Sequence, residues 1–144
     1  MDDEAVARRW LSTQRVARLA TADAAGVPSV VPVCFALSGD EGPLYITIDQ
    51  KPKDLSRPLK RVRNILANPK VSLVADHYTE DWSQLCWVMV RGQAEVLEPG
   101  LAEHAAAQVL MRGKYLQYRS MMLQDLPVIA VRIERLTWWG ALPL

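Results

Sequence analysis

The stretch LKRVRNILANPKVSLVAD, residues 59 to 76, joins a helical pattern to a strand pattern across a proline. Apolar residues in its first half recur at the spacing of one helix face; they are Leu59, Val62, Ile65 and Leu66. Since Pro69 cannot continue a helix, we expect one that begins near residue 57, after a cap at Ser56, and ends around Asn68. The apolar run VSLVADHY, residues 71 to 78, then predicts a strand.

Strand patterns dominate the sequence on both sides of this stretch. The predicted strands are residues 15–23, 27–37, 44–49, 71–78, 85–98 and 128–140. The other predicted helices are residues 3–12 and 100–122. Because short turns join most of these strands, the order favours a mainly β domain with peripheral helices, a six-stranded antiparallel barrel, over a parallel α/β sheet.

Length, charge and cysteine usage narrow the functional classes. A chain of 144 residues fits one domain, here residues 1–144, and the net charge of +1 disfavours a nucleic-acid binder, which usually carries a broad basic excess. Cys34 and Cys86 lack metal-ligand spacing, so no metal site is predicted. With no secretory pattern at the N-terminus and no apolar run of about 20 residues, we expect a cytoplasmic protein without a membrane partner.

A local basic stretch, KPKDLSRPLKRVRN at residues 51 to 64, is the strongest charge feature. Lys60, Arg61 and Asn64 lie away from the apolar face of the predicted helix, where side chains and backbone N–H groups could hold a phosphate. Lys51 and Lys53 belong to the preceding loop. From spacing alone, a solvated basic face is the favoured interpretation, because charge runs usually serve solubility.

Four segments follow one another along the chain: GVPSVVPVCF, residues 59–76, VMVRGQAEV and the closing IERLTWWG. In this order they resemble the flavin-binding split barrels of the pyridoxamine-phosphate-oxidase-like superfamily, over about residues 10 to 140. The most specific is residues 59–76, which is similar to the family's run of two basic residues, a helix, N-P-basic and an apolar strand. The resemblance implies a split barrel that is homodimeric, with a cofactor between subunits.

Departures from the family pattern imply which branch the chain resembles. Val31 and Ala36 stand where true pyridoxamine-phosphate oxidases have an Arg and a Lys, and only GALPL follows Trp139, where those enzymes have a C-terminal arm with Arg and His. Trp87 replaces a glutamine that is usual in the FMN enzymes. With KPK, LKRVRN and DHYTEDW, the chain looks most like the branch classed as coenzyme F420-dependent (deazaflavin) enzymes.

The resemblance also implies a set of cofactor-binding residues. The phosphate would be bound by Lys60, Arg61 and Asn64, and the oligoglutamate tail by Lys51 and Lys53. Thr47 would contact the phosphate or the ribityl chain. The ring would be contacted by Pro32, Val33, Cys34 and Phe35, and the cofactor or substrate by Trp87 and Trp139. On sequence alone, several of these positions are equally compatible with core or strand packing.

Catalytic side chains are not evident from motifs, since Ser-His-Asp, G-x-S-x-G and P-loop patterns are missing from the sequence. His77 and Tyr78 are the speculative substrate contacts, and no catalytic residue is assigned. This suits hydride transfer, in which the cofactor supplies the chemistry. The hypothesis is a homodimeric F420-dependent oxidoreductase acting on a small conjugated or unsaturated molecule. The alternatives are an FMN-dependent oxidoreductase of the same fold and a non-catalytic flavin- or haem-binding module.

Overall fold

One antiparallel sheet makes up most of the computed structural model, which describes residues 2–49 and 58–143. Its strands are β1 (Ala17–Ala22), β2 (Pro28–Val33), β3 (Ala36–Leu37), β4 (Leu44–Thr47), β5 (Lys70–His77), β6 (Cys86–Leu97) and β7 (Val128–Gly140). They are ordered β2-β1-β5-β6-β7-β4-β3. The predicted antiparallel, mainly β class is confirmed, but the count of six strands is wrong, because the run at residues 27–37 divides into β2 and β3.

The two edge strands of this sheet are neighbours in the chain. Only Cys34 and Phe35 separate the end of β2 from the start of β3, so the Cα atoms of Val33 and Ala36 lie within about 11 Å of each other. The sheet must therefore curl until its two edges approach at this point. The result is the curled half-barrel expected of a split barrel.

Alternation along the strands places the core inside the curl. On β5, for example, Val71, Leu73 and Ala75 are buried while the residues between them are half-buried or exposed. Each fully buried leucine or valine contributes roughly 1.5–3 kcal/mol. A bulge at Arg91/Gly92 bends the long β6–β7 ladder, and an added Cβ at Gly92 would lie 2.1 Å from the Arg132 carbonyl oxygen. Only glycine fits this close approach.

Three helices pack around the sheet: α1 (Asp3–Thr13), α2 (Lys60–Ala67) and α3 (Ala102–Lys114). The carboxylate of Asp2 caps α1 by accepting from the Ala5 N–H at 2.7 Å. Two short 3-10 helices, Trp82–Gln84 and Leu116–Ser120, lie in the connections. None of the helices in the described ranges is long and apolar enough to span a bilayer.

Two predicted helix boundaries are wrong. The helix expected from about residue 57 begins at Lys60, since Leu59 has an extended backbone (φ −56°, ψ 152°). The helix expected over residues 100–122 stops at Lys114, because Tyr115 is extended and its side chain is held elsewhere in the fold. Both errors move residues of the candidate site, since Arg61 falls in the first turn of α2 and Tyr118 on the 3-10 helix.

Candidate functional site

A cleft of about 170 Å³ lies where β2, β4, α2 and the 3-10 helix Leu116–Ser120 meet. Its lining residues are Val16, Pro32, Val33, Cys34, Ile46, Thr47, Asp49, Arg61 and Tyr118. Five of the predicted cofactor-binding residues thus come together, although they belong to three different parts of the chain; they are Pro32, Val33, Cys34, Thr47 and Arg61. Lys51 and Lys53 lie outside the described residues.

The first turn of α2 presents Arg61 to the cleft. Val62 and Ile65 are buried against the barrel, and this fixes the side of the helix that Arg61 occupies. The Nε of Arg61 is buried and has no hydrogen-bond partner among the described residues, and no side chain caps the helix at Leu59. A buried guanidinium N–H and uncapped helix N–H groups both require an acceptor, which an anionic ligand would supply.

Lys60 and Asn64 are placed differently from Arg61. Lys60 is exposed and does not line the cleft, whereas Asn64 is 1% exposed in the interior. The amide of Asn64 donates to Thr21 Oγ1 at 3.0 Å, which ties α2 to β1. Its observed contact is structural, and the predicted contacts of Lys60 and Asn64 with a cofactor stay predictions.

Thr47 forms part of the cleft floor and is held from beneath by α3. The Gln108 Nε2 donates to Thr47 Oγ1 at 3.0 Å and to the Leu123 carbonyl at 3.2 Å. Because a carbonyl only accepts, the nitrogen of the Gln108 amide must face these two groups. The Thr47 oxygen therefore accepts from Gln108, and its own hydrogen is left to donate. Sequence reasoning missed Gln108, since a lone glutamine in a helix carries no signal.

Asp49 and Tyr118 close one side of the cleft and were also missed. The Tyr118 hydroxyl donates to Asp49 Oδ2 at 3.1 Å, and Tyr118 is 5% exposed. Burial, together with the Asp49 carboxylate, raises the pKa of Tyr118 far above its usual range. The phenol is therefore a permanent donor that orients Asp49.

Cys34 forms a wall of the cleft, and its neighbour Phe35 is held by Lys114 and Tyr115 at the C-terminal end of α3. The Phe35 N–H donates to Tyr115 Oη at 3.0 Å, and the Phe35 carbonyl accepts from the Lys114 ammonium at 2.9 Å. The same ammonium lies 4.1 Å from the centroid of the Phe35 ring. Phe35 itself is fully buried and belongs to the core, so its observed contacts are with protein and its predicted contact with a ring stays a prediction.

Lys114 carries the most perturbed cationic group near the cleft. Burial, and secondarily the positive charge of Arg15, lowers the pKa of Lys114 to about 8. The guanidinium of Arg15 in turn donates to the Lys114 carbonyl oxygen. The wall therefore depends on a lysine that is partly neutral in mildly alkaline solution.

The remaining predicted residues lie at the other end of the sheet. Trp87 and Trp139 face each other across the β6–β7 ladder, where Trp139 is 52% exposed. Trp139 is 11 residues along β7 from Val128, the strand partner of Thr47, and it is not among the residues that line the cleft of its own chain.

His77 and Tyr78, the speculative substrate contacts, have different surroundings. His77 ends β5 and lines a separate pocket with Trp10 and Cys86. Tyr78 is 61% exposed and its hydroxyl donates to Glu80 Oε1 at 3.3 Å. Their suggested contact with substrate stays a prediction.

Comparisons with known proteins agree with this fold. The family model described as "Pyridoxamine 5'-phosphate oxidase" matches residues 3–140. The 5a,11a-dehydrotetracycline/5a,11a-dehydrooxytetracycline reductase of Streptomyces rimosus is 31% identical over 105 residues, which are 70% of each chain. Among solved structures, a FAD-binding protein of Mesorhizobium loti superimposes with a TM-score of 0.68 at 25% identity, covering 91% of this chain and 87% of that one.

A haem-binding protein of Mycobacterium smegmatis has the same fold. It superimposes with a TM-score of 0.75 at 22% identity and covers 97% of this chain. This chain spans only 55% of the length of that protein. The likeness therefore extends to the barrel, and ligand chemistry has to be argued from the residues of the cleft.

Proposed function

Because the chain belongs to the pyridoxamine 5'-phosphate oxidase family, we propose that it is a deazaflavin-dependent oxidoreductase, which uses coenzyme F420 to reduce a small conjugated or unsaturated molecule. The observation that carries the proposal is the meeting of Pro32, Cys34, Thr47 and Arg61 in one cleft. When bound, such a cofactor supplies hydride; the protein holds and orients it and excludes water.

The anionic end of the cofactor is assigned to Arg61 and the first turn of α2. The buried Nε of Arg61, which lacks a partner among the described residues, can donate to a phosphate oxygen, and the helix N-terminus favours the same charge. Thr47 adds a neutral donor, since Gln108 already occupies its acceptor side. These groups fit the phosphate and the polar chain that flavins and deazaflavins share.

A second subunit is part of the proposal, because the cleft is small. Its volume of about 170 Å³ lies below the roughly 300 Å³ at the lower end of ligand pockets, so one chain can hold only part of the cofactor. The ring system then needs another surface. Trp139, which does not line the cleft of its own chain, would supply that surface from the partner subunit.

The outer face of the sheet is suited to this pairing. One row of side chains crosses five strands in register: Thr137, Met89, Val74, Arg18 and Pro32. Three of these are apolar, and Trp87 and Trp139 lie directly beside the row. The outer face of an antiparallel sheet is ordinarily polar, so a half-exposed apolar row favours contact with a second copy.

Reduction of an unsaturated substrate is supported by the relative from Streptomyces rimosus, whose name describes a reductase of dehydro compounds. The choice of F420 over FMN rests on the resemblance of KPK, LKRVRN and DHYTEDW to the deazaflavin branch and on Trp87, which stands where the FMN enzymes have glutamine. FMN is the second candidate, and the FAD-binding relative from Mesorhizobium loti supports a flavin in this fold.

Titration of the purified protein with coenzyme F420, FMN and haem tests the proposal. We expect a shift in deazaflavin fluorescence with micromolar affinity, together with a particle that sediments as a dimer. A yellow protein with a stoichiometric FMN spectrum would favour the second candidate, and a Soret band would favour a haem-binding module. If none of the three binds at millimolar concentration, the proposed function is wrong.

A further inference from the structure

The cleft is lined by two opposite charges that do not neutralise each other. Arg61 and Asp49 both face it, yet no ion pair within 4.0 Å joins them in the described parts of the chain. A ligand in this cleft therefore meets a cationic end and a separate carboxylate. The carboxylate would repel a phosphate, so the two ends must contact different parts of the ligand.

The orientation of Asp49 shows what kind of group it can accept. Tyr118 fixes Oδ2 at 3.1 Å, and Oδ1 has no hydrogen-bond partner among the described residues. An ionised carboxylate only accepts, so the remaining lone pairs require donors. Thr47 and Asp49 are two residues apart on an extended segment, which places their side chains on one face about 7 Å apart.

A short polyol chain satisfies this arrangement. Its hydroxyl groups both donate and accept, so one can receive the Thr47 hydrogen while another donates to Asp49. We propose that Asp49, held by Tyr118, is a specificity-determining residue that accepts from the ribityl hydroxyls between the ring and the phosphate. The assignment rests on the proposed function, and it adds Asp49 and Tyr118 to the site.

Ligands with and without the polyol test this assignment. Riboflavin and lumiflavin share a ring, but lumiflavin has a methyl group in place of the ribityl chain; 5-deazariboflavin and its N10-methyl counterpart form a second pair. Riboflavin and 5-deazariboflavin both lack phosphate, so the proposed contact of Arg61 with a phosphate does not contribute to the measured affinities. The measurement is the dissociation constant of each ligand from fluorescence titration of the full chain.

We expect Asp49→Asn to weaken binding of the ribityl forms about tenfold and to leave the methyl forms within about twofold. Tyr118→Phe, which frees the carboxylate without removing it, is expected to cost about threefold for the ribityl forms only. Asp125→Asn is the matched control, because Asp125 is exposed and is not among the residues that line the cleft.

Two results separate this assignment from the proposed function. If the wild-type protein binds the ribityl forms, but Asp49→Asn weakens both members of a pair equally or neither, the polyol assignment is overturned and the proposed function stands. If the wild-type protein binds no flavin and no deazaflavin, both are overturned.

Discussion

Predicted cofactor-binding residues lie both in the cleft and at Trp87 and Trp139, but the two groups differ in how far the rest of the chain encloses them. In the cleft, side chains from β2, β4 and α2 converge and are fixed by buried partners such as Gln108 and Tyr118. At the other end, Trp87 and Trp139 lie side by side on an open surface. Contacts within one chain fix the side chains of the first region, whereas the tryptophans of the second are proposed to gain their contacts from a partner subunit.

Replacing Arg61 gives the largest expected effect and tests the cleft. Arg61→Ala should weaken binding of FMN or coenzyme F420 by about 10- to 100-fold, because a charge-assisted phosphate contact contributes roughly 1.5–3 kcal/mol. Riboflavin, which lacks the phosphate, should lose less than about threefold. Fluorescence titration measures both.

Lys60→Ala is the matched control for Arg61, since Lys60 is the adjacent cation but is exposed outside the cleft. We expect a loss of about twofold at most. An equal loss in the two variants would place the phosphate outside the cleft, and the contrast between enclosed and exposed residues would fail.

Replacing Trp139 tests the open end of the sheet. Trp139→Ala should weaken both dimer association and cofactor binding by about tenfold, because an exposed aromatic is expected to become buried only in the assembly. Analytical ultracentrifugation and titration report the two quantities. Trp82→Ala, at a tryptophan that is also exposed but lies on a connecting 3-10 helix, should change neither. A monomeric Trp139→Ala protein with unchanged affinity would show that the cleft is sufficient.

The smallest predicted effect concerns the wall of the cleft and pH. The pKa of Lys114 is lowered to about 8 in the folded state by burial, against 10.5 for the ordinary group. Between these values the unfolded chain binds a proton that the folded chain has released, so the contribution of Lys114 to the free energy of unfolding rises with pH.

Urea unfolding of the wild type and Lys114→Gln at pH 7.5 to 9.5 measures this contribution. As pH rises, the free energy of unfolding of the wild type should increase relative to that of the variant. The increase should be less than about 1 kcal/mol, because solvent screens a half-buried group. The measurement stays below pH 10 to avoid the titration of Tyr115. The pKa of Tyr115 is raised to about 12, so its titration would lower the free energy of unfolding as pH rises. A difference in the free energy of unfolding that does not change with pH would contradict the lowered pKa of Lys114.

Patterns within one element predicted much of the fold. The apolar face of α2, the stop at Pro69 and the strand after it are local consequences of spacing and backbone restriction, and the structure has them within a few residues. The meeting of Pro32, Thr47 and Arg61 followed from the family resemblance and not from any periodicity. The family resemblance therefore predicted more of the cleft-lining residues than the spacing of residues did.

The remaining site residues could not be predicted, because their pairing depends on the curl of the sheet. Asp49 and Tyr118 are 69 residues apart in the chain, and Gln108 and Thr47 are 61 apart. A tyrosine on a 3-10 helix and a glutamine in α3 have no sequence pattern that indicates a cleft. Tyr115, by ending α3 early, determines where Tyr118 falls.

The arrangement of edge strands has a consequence for the protein at high concentration. An unpaired strand edge is a template for β-aggregation, and this sheet has two. On β2, Pro28 and Pro32 are four residues apart, so both backbone nitrogens face the same, free side of the strand and two donors are missing there. The opposite edge, β3, is only two residues long. The sheet that brings the cleft together thus offers little backbone on which a misfolded neighbour could start a fibril.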